Sequence, residues 1–120
     1  MIEGRFGDQG ELLFEIELIT GEDFPITVEA MLDTGFTGFL AMNKQDVEAC
    51  DWNYLGKEEL LTAQGETLFD IYLGKLILAG EEIEISVFAG DKIEEILLGL
   101  QWLKRFDLIA KYREAILRLE

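Results

Sequence analysis

Histidine is absent from this 120-residue chain, cysteine and proline occur once each, and 10 basic residues stand against 25 acidic ones. Each shortage excludes chemistry. Without His there is no Ser-His-Asp or Cys-His nucleophilic machinery, no histidine-ligated zinc and no imidazole acid or base within one chain. A lone thiol cannot form an intramolecular disulfide and is too little for structural zinc or an iron-sulfur cluster, so Cys50 reads as an apolar packing residue. The residues call for no metal and no cofactor. A net charge of −15 repels phosphate backbones and anionic lipid, which removes nucleic acid and membrane surfaces from the expected partners. No apolar stretch approaches the ~18 residues of a membrane span, and the start of the chain lacks the basic-then-apolar order of a signal peptide. The expectation is a cytoplasmic protein in a reducing compartment.

What is present is a core. Hydrophobic residues make up 49% of the chain, enough for a single folded domain over residues 1–120. The charge is uneven: residues 91–120 balance, so the first 90 carry the whole excess of acid. Period-two patterning dominates. Leu12, Phe14, Ile16 and Leu18 predict a half-buried strand that ends at Thr20-Gly21-Glu22-Asp23, and residues 24–32 predict its returning partner, with Pro25 near the start where a missing N–H is tolerated. A short strand at 39–42 precedes Asn43, a helix cap for residues 44–50. Strands are expected at 60–63, 68–73, 75–79 and 83–88, with Gly74 and Gly80 as punctuation, followed by a helix over 100–106 and a hairpin of 107–112 with 115–119. Residues 115–120 suit either an interfacial strand or the closure of the chain's own sheet. Trp52, Tyr54, Trp102 and Phe106 lie in apolar contexts and read as core. The class is all-β, a barrel with one or two short helices.

The segment that could carry chemistry is Leu32-Asp33-Thr34-Gly35-Phe36, an acid where an apolar strand ends, followed by a small hydroxyl residue and a glycine. An ordinary turn would use the same residues. Other readings of the motifs fail: an acyl-phosphate phosphatase would need an acid at position 35, no phosphate-binding loop is spelled out, and no calcium loop of alternating acids exists. Downstream, Leu97-Leu98-Gly99 closes a second apolar strand.

On that pairing of Asp-Thr-Gly with Leu-Leu-Gly, residues 12–112 resemble the retropepsin-like aspartic proteases, most of all the small prokaryotic members with Asp-Thr-Gly-Phe. The resemblance implies a retropepsin-like acid-protease barrel in which Asp33 is the catalytic acid and Thr34 and Gly35 form its supporting loop. Leu97, Leu98 and Gly99 would pack against that loop. It places a flap near Thr62, Ala63, Gln64 and Gly65. Phe36 departs from the Ala or Ser of the best-characterised members, and its ring beside the acid would either narrow the site or serve as a wall of the substrate pocket. One Asp per chain supplies half of a two-carboxylate dyad, so the resemblance implies a homodimer that hydrolyses peptides through Asp33 and its symmetry mate. A catalytically silent dimeric module that only holds a peptide would keep the same fold.

Overall fold

The computed structural model describes residues 1–62 and 65–120, with Thr62 described in its backbone only. Along the chain run β1 (Ile2–Glu3), β2 (Arg5–Phe6), β3 (Leu12–Ile19), β4 (Pro25–Leu32), β5 (Leu40–Asn43), α1 (Lys44–Ala49), β6 (Asn53–Thr62), β7 (Gly65–Leu78), β8 (Glu81–Gly90), β9 (Leu97–Leu98), β10 (Leu108–Lys111) and β11 (Ile116–Leu119). Short 3-10 helices occupy Leu100–Lys104 and Tyr112–Glu114. The expected all-β class is what forms. Among the described residues no helix is long and apolar enough to cross a membrane.

Alternation in β3 turns Phe14, Ile16 and Leu18 inward, each no more than 2% exposed, while Glu15 and Glu17 face water. Burying each such side chain stabilises the fold by about 1.5–3 kcal/mol. β4 returns antiparallel, with Ile16 opposite Val28 and Phe14 opposite Ala30. From β4 the sheet continues through β9, β5, β8 and β7, and β7 meets β3 again at Leu76 and Ile77, so the barrel closes on itself. Its interior is filled by Leu40, Met42, Val87, Leu98 and Trp102, and α1 adds Val47.

Asn43 caps α1 as expected, its side-chain oxygen accepting the Gln45 N–H at 2.9 Å, and the helix ends one residue early, with Cys50 as its C-cap. Other expectations change, the strand expected at 60–63 among them, which begins at Asn53. The strands predicted at 68–73 and 75–79 are one strand, β7, that passes straight through Gly74. That glycine makes room rather than a turn: a Cβ there would lie 2.5 Å from Val87 Cγ2 and 3.1 Å from the Trp52 ring. The helix expected at 100–106 is a single 3-10 stretch, with the Trp102 indole buried beneath it and bonded to the Phe39 carbonyl at 2.8 Å.

The terminal hairpin forms from β10 and β11, turning at Ala115 in the left-handed region (φ 55°). β11 also pairs with β1, so it is the middle strand of a three-stranded sheet and both of its edges are used inside the chain. Tyr54, expected in the core, is instead 53% exposed.

Candidate active site

Asp33 sits at the end of β4, where three segments distant in sequence converge. β9 is inserted between β4 and β5, parallel to the first through Met31–Leu97 and Leu32–Leu98 and antiparallel to the second through Leu40–Leu98 and Ala41–Leu97. The backbone of Asp33 continues this ladder, its N–H donating to the Leu98 carbonyl at 2.9 Å. The loop from Asp33 to Phe39 therefore hangs from both sides of a two-residue strand.

Within the loop the Gly35 N–H donates to Asp33 Oδ1 at 2.8 Å, and the Phe36 N–H to the Asp33 carbonyl at 3.2 Å. A backbone donor aimed at a carboxylate oxygen fixes the side chain in one rotamer without neutralising it. A Cβ on residue 35 would stand 3.1 Å from that oxygen, so glycine keeps the donor close. Asp33 is half-buried, while Thr34 and Gly35 are exposed at the rim.

Behind the loop the packing is tight. The Gly99 N–H donates to the Phe39 carbonyl at 3.0 Å, the Leu100 N–H to the Phe36 carbonyl at 2.8 Å, and the Gln101 side-chain amide to the Thr37 carbonyl at 2.9 Å. Leu98 is fully buried and Leu97 half-buried, directly beneath. A Cβ on Gly99 would run into the Gly38 carbonyl oxygen and lie 2.7 Å from the Phe36 ring.

Phe36 itself is only 9% exposed. Its ring points into a second apolar cluster with Ala41, Ile71 and Phe88, separate from the main core. It meets Phe88 edge to face at a centroid distance of 5.5 Å, and Phe88 in turn meets Phe69 at 6.0 Å. The ring thus links the Asp33 loop to β7 and β8.

β6 and β7 form a long hairpin, and residues 65–69 of β7 pair with β6 alone, so the end of the hairpin extends beyond the barrel. Leu60 and Phe69 rest on the Phe36 cluster, whereas Leu61 and Leu68 are 81% and 54% exposed. Gly65 opens β7 with φ +101°. The expected flap residues Ala63 and Gln64 and the side chain of Thr62 lie outside the described residues.

One cluster at the base of the hairpin was not anticipated. Asp70 of β7 accepts from Lys57 Nζ at 2.8 Å and from the Tyr54 hydroxyl at 3.2 Å, and pairs with Lys44 Nζ of α1 at 2.9 Å. Hydrogen bonds from Lys57 and then Lys44 hold its carboxyl at about 2, and both lysines are raised in return. A signal existed in the chain: Asp70 is a lone acid within the apolar run Leu68 to Leu73. Because the folded pKa lies below the unfolded one, the stability this group contributes is complete above about pH 4 and is lost as pH falls toward 2. Asp70→Asn is expected to cost about 1–2 kcal/mol at pH 7, after screening at the exposed lysines, and almost nothing near pH 2. Urea unfolding at both pH values checks this, and a deficit that does not depend on pH would contradict it.

An acid held by a backbone donor, a β9 threaded between β4 and β5 and an overhanging hairpin define the class: the chain has the retropepsin-like aspartic protease fold. It is similar to the retropepsin-like aspartic protease from Rickettsia conorii, with a TM-score of 0.66 and 21% identity over 98% of this chain and 88% of that one. The EIAV protease, solved in complex with the inhibitor HBY-793, superposes with a TM-score of 0.65 at 14% identity over 83% of this chain and 91% of that one. The simian foamy virus (mac) protease gives 0.51 at 21% identity over 75% and 91%. No protein-family model and no curated protein sequence matches the chain.

Proposed function

We propose that this protein is an aspartic endopeptidase that acts as an isologous homodimer, with Asp33 from each protomer forming the catalytic dyad. The observation that carries the reading is the Asp33 carboxylate, oriented by the Gly35 N–H and presented at the rim beside exposed Thr34 and Gly35. One carboxylate cannot serve as base and acid in the same step. Two brought to ~3 Å share a proton, so one takes a proton from water while the other gives one to the substrate carbonyl oxygen. Water oxygen bonds to the carbonyl carbon. Proton transfer to the amide nitrogen then lets the C–N bond break.

In a twofold assembly each residue near the axis meets its own copy, which places Thr34 and Gly35 against their mates. Leu100, 37% exposed and tied to the loop through the Phe36 carbonyl, would extend that contact. Both edges of β11 being taken, the dimer we propose is held around the Asp33 loop and the outer edges of β1 and β10. Phe36 acts as the floor of the cleft. The hairpin of β6 and β7 acts as the flap, and Leu61 and Leu68 are covered when peptide binds.

The test is digestion of a mixed peptide library between about pH 4 and 7, with products identified by mass spectrometry and the specific rate followed against protein concentration. Cuts whose rate per chain rises with concentration until the dimer saturates support the reading. Peptides that bind without being cut at any pH would leave the silent binding module in its place.

A further inference from the structure

We propose that the open edge of β4, with the groove beside it, binds an extended cationic-apolar segment of a partner protein by strand addition. β4 pairs with β3 along its whole length but with β9 only at Met31 and Leu32. The Met31 N–H donates outward to the Ile96 carbonyl, which sets the phase of the strand: odd-numbered backbone groups face away from β3. Those of Thr27 and Glu29 therefore lie on the outer edge, and among the described residues no strand covers them. Pro25, which has no N–H, bounds this edge at one end and β9 at the other.

Even-numbered side chains turn inward. Ile26 and Val28 open into a cavity of about 280 Å³ whose far wall includes Met42, Ala49, Cys50 and Ile96. Ile26 is 38% exposed there, an apolar residue on an unpaired edge, which is the arrangement that strand addition covers. The groove is two-sided in character. A neighbouring cleft of about 410 Å³ shares Asp46 and Ile96 with it and is rimmed by Glu11, Glu29, Glu94 and Glu95. Arg5 is engaged with Glu29 at 2.7 Å, leaving the acids in excess.

Charge selects the occupant. A second copy packed on this edge about a twofold would set Glu29, Glu94 and Glu95 against their own acidic counterparts, whereas a segment with Lys or Arg at one end and Val, Ile or Leu at alternate positions satisfies both halves. Such a strand would lie ~4.8 Å from β4, with every second side chain in the cavity. Its backbone would meet the free groups of Thr27 and Glu29.

The probe is the fluorescent heptapeptide Lys-Val-Lys-Val-Thr-Val-Thr, measured by anisotropy on full-length Asp33→Asn protein so that it is not cut. Controls are its Glu-for-Lys counterpart and versions N-methylated at alternate residues in either phase. Expected are a loss of at least tenfold for the Glu peptide, a similar loss for one N-methylated phase and not the other, and tenfold weaker binding to the Glu94→Lys/Glu95→Lys protein. Amide NMR shifts should move at Thr27, Glu29 and α1. Equal binding by both N-methylated phases, or shifts confined to the Asp33 loop and the hairpin, would overturn the proposal. So would self-association that Ile26→Lys abolishes, which would make a second copy the occupant.

Discussion

Asp33→Asn is expected to lower peptide hydrolysis by about 10³-fold or more while leaving the dimer at least as tight as in the wild type. The amide has the shape of the carboxyl and can still accept from the Gly35 N–H, so the loop geometry described above survives. What is lost is the group that takes the proton from water. Replacing two facing acids by neutral amides also removes their repulsion, which is why the dimer should not loosen. Mixing tests the shared site directly. If every active unit needs two Asp33 carboxylates, an equal amount of Asp33→Asn protein should cut the activity of a fixed quantity of wild type to about half through unproductive heterodimers. Activity undiminished by the mutant chain, or full turnover by a monomer, would refute the dyad.

Gly99→Ala is expected to destabilise the protein by about 3 kcal/mol or more, the upper end of overpacking effects, and to carry activity down with it. The backbone of Gly99, with φ −93°, would suit any residue, so the penalty is steric rather than conformational. A methyl group would meet the Gly38 carbonyl oxygen and the Phe36 ring at once, and backbone cannot move aside as a long side chain can. Relief would push β9 away from the Asp33 loop. That displacement breaks the Gly99 to Phe39 and Leu100 to Phe36 hydrogen bonds, which hang the loop in place. Urea denaturation measures the first effect and cleavage rates the second. Wild-type stability in Gly99→Ala would show that the loop has slack the packing does not reveal.

Local chemistry was legible in the chain. Period-two alternation in residues 12–19 places one face inside and the other in water whatever lies across the core, so β3 and β4 follow from it. The Asn43 cap needs only a side-chain oxygen two residues before an N–H, which is a local contact too. Asp33-Thr34-Gly35 marks the candidate site because an acid ending an apolar strand, followed by glycine, is a local event.

Where local pattern misled, a distant partner had changed the meaning of a residue. Gly74 looks like punctuation, yet the Trp52 ring and Val87 press on it from other strands, and the strand runs through. The ring of Phe36 is drawn down to Phe88 and Ile71, a contact that its neighbours in the sequence do not signal, because those residues offer apolar contact that water does not. Asp70 stands out as an acid in an apolar run, yet which cations it serves is decided only when α1 and β6 bring Lys44 and Lys57 to it.

By itself, then, the sequence determined the all-β class, the two long antiparallel strands, the capped helix and the position of the acid, since each depends on neighbours within a few residues. Only the tertiary structure decided that β9 threads between β4 and β5, that the hairpin rests on the Phe36 cluster, and that β11 is used up inside the protomer. Those are pairings between segments far apart in the chain, selected by whichever closure buries the most apolar surface and leaves the fewest backbone groups unpaired.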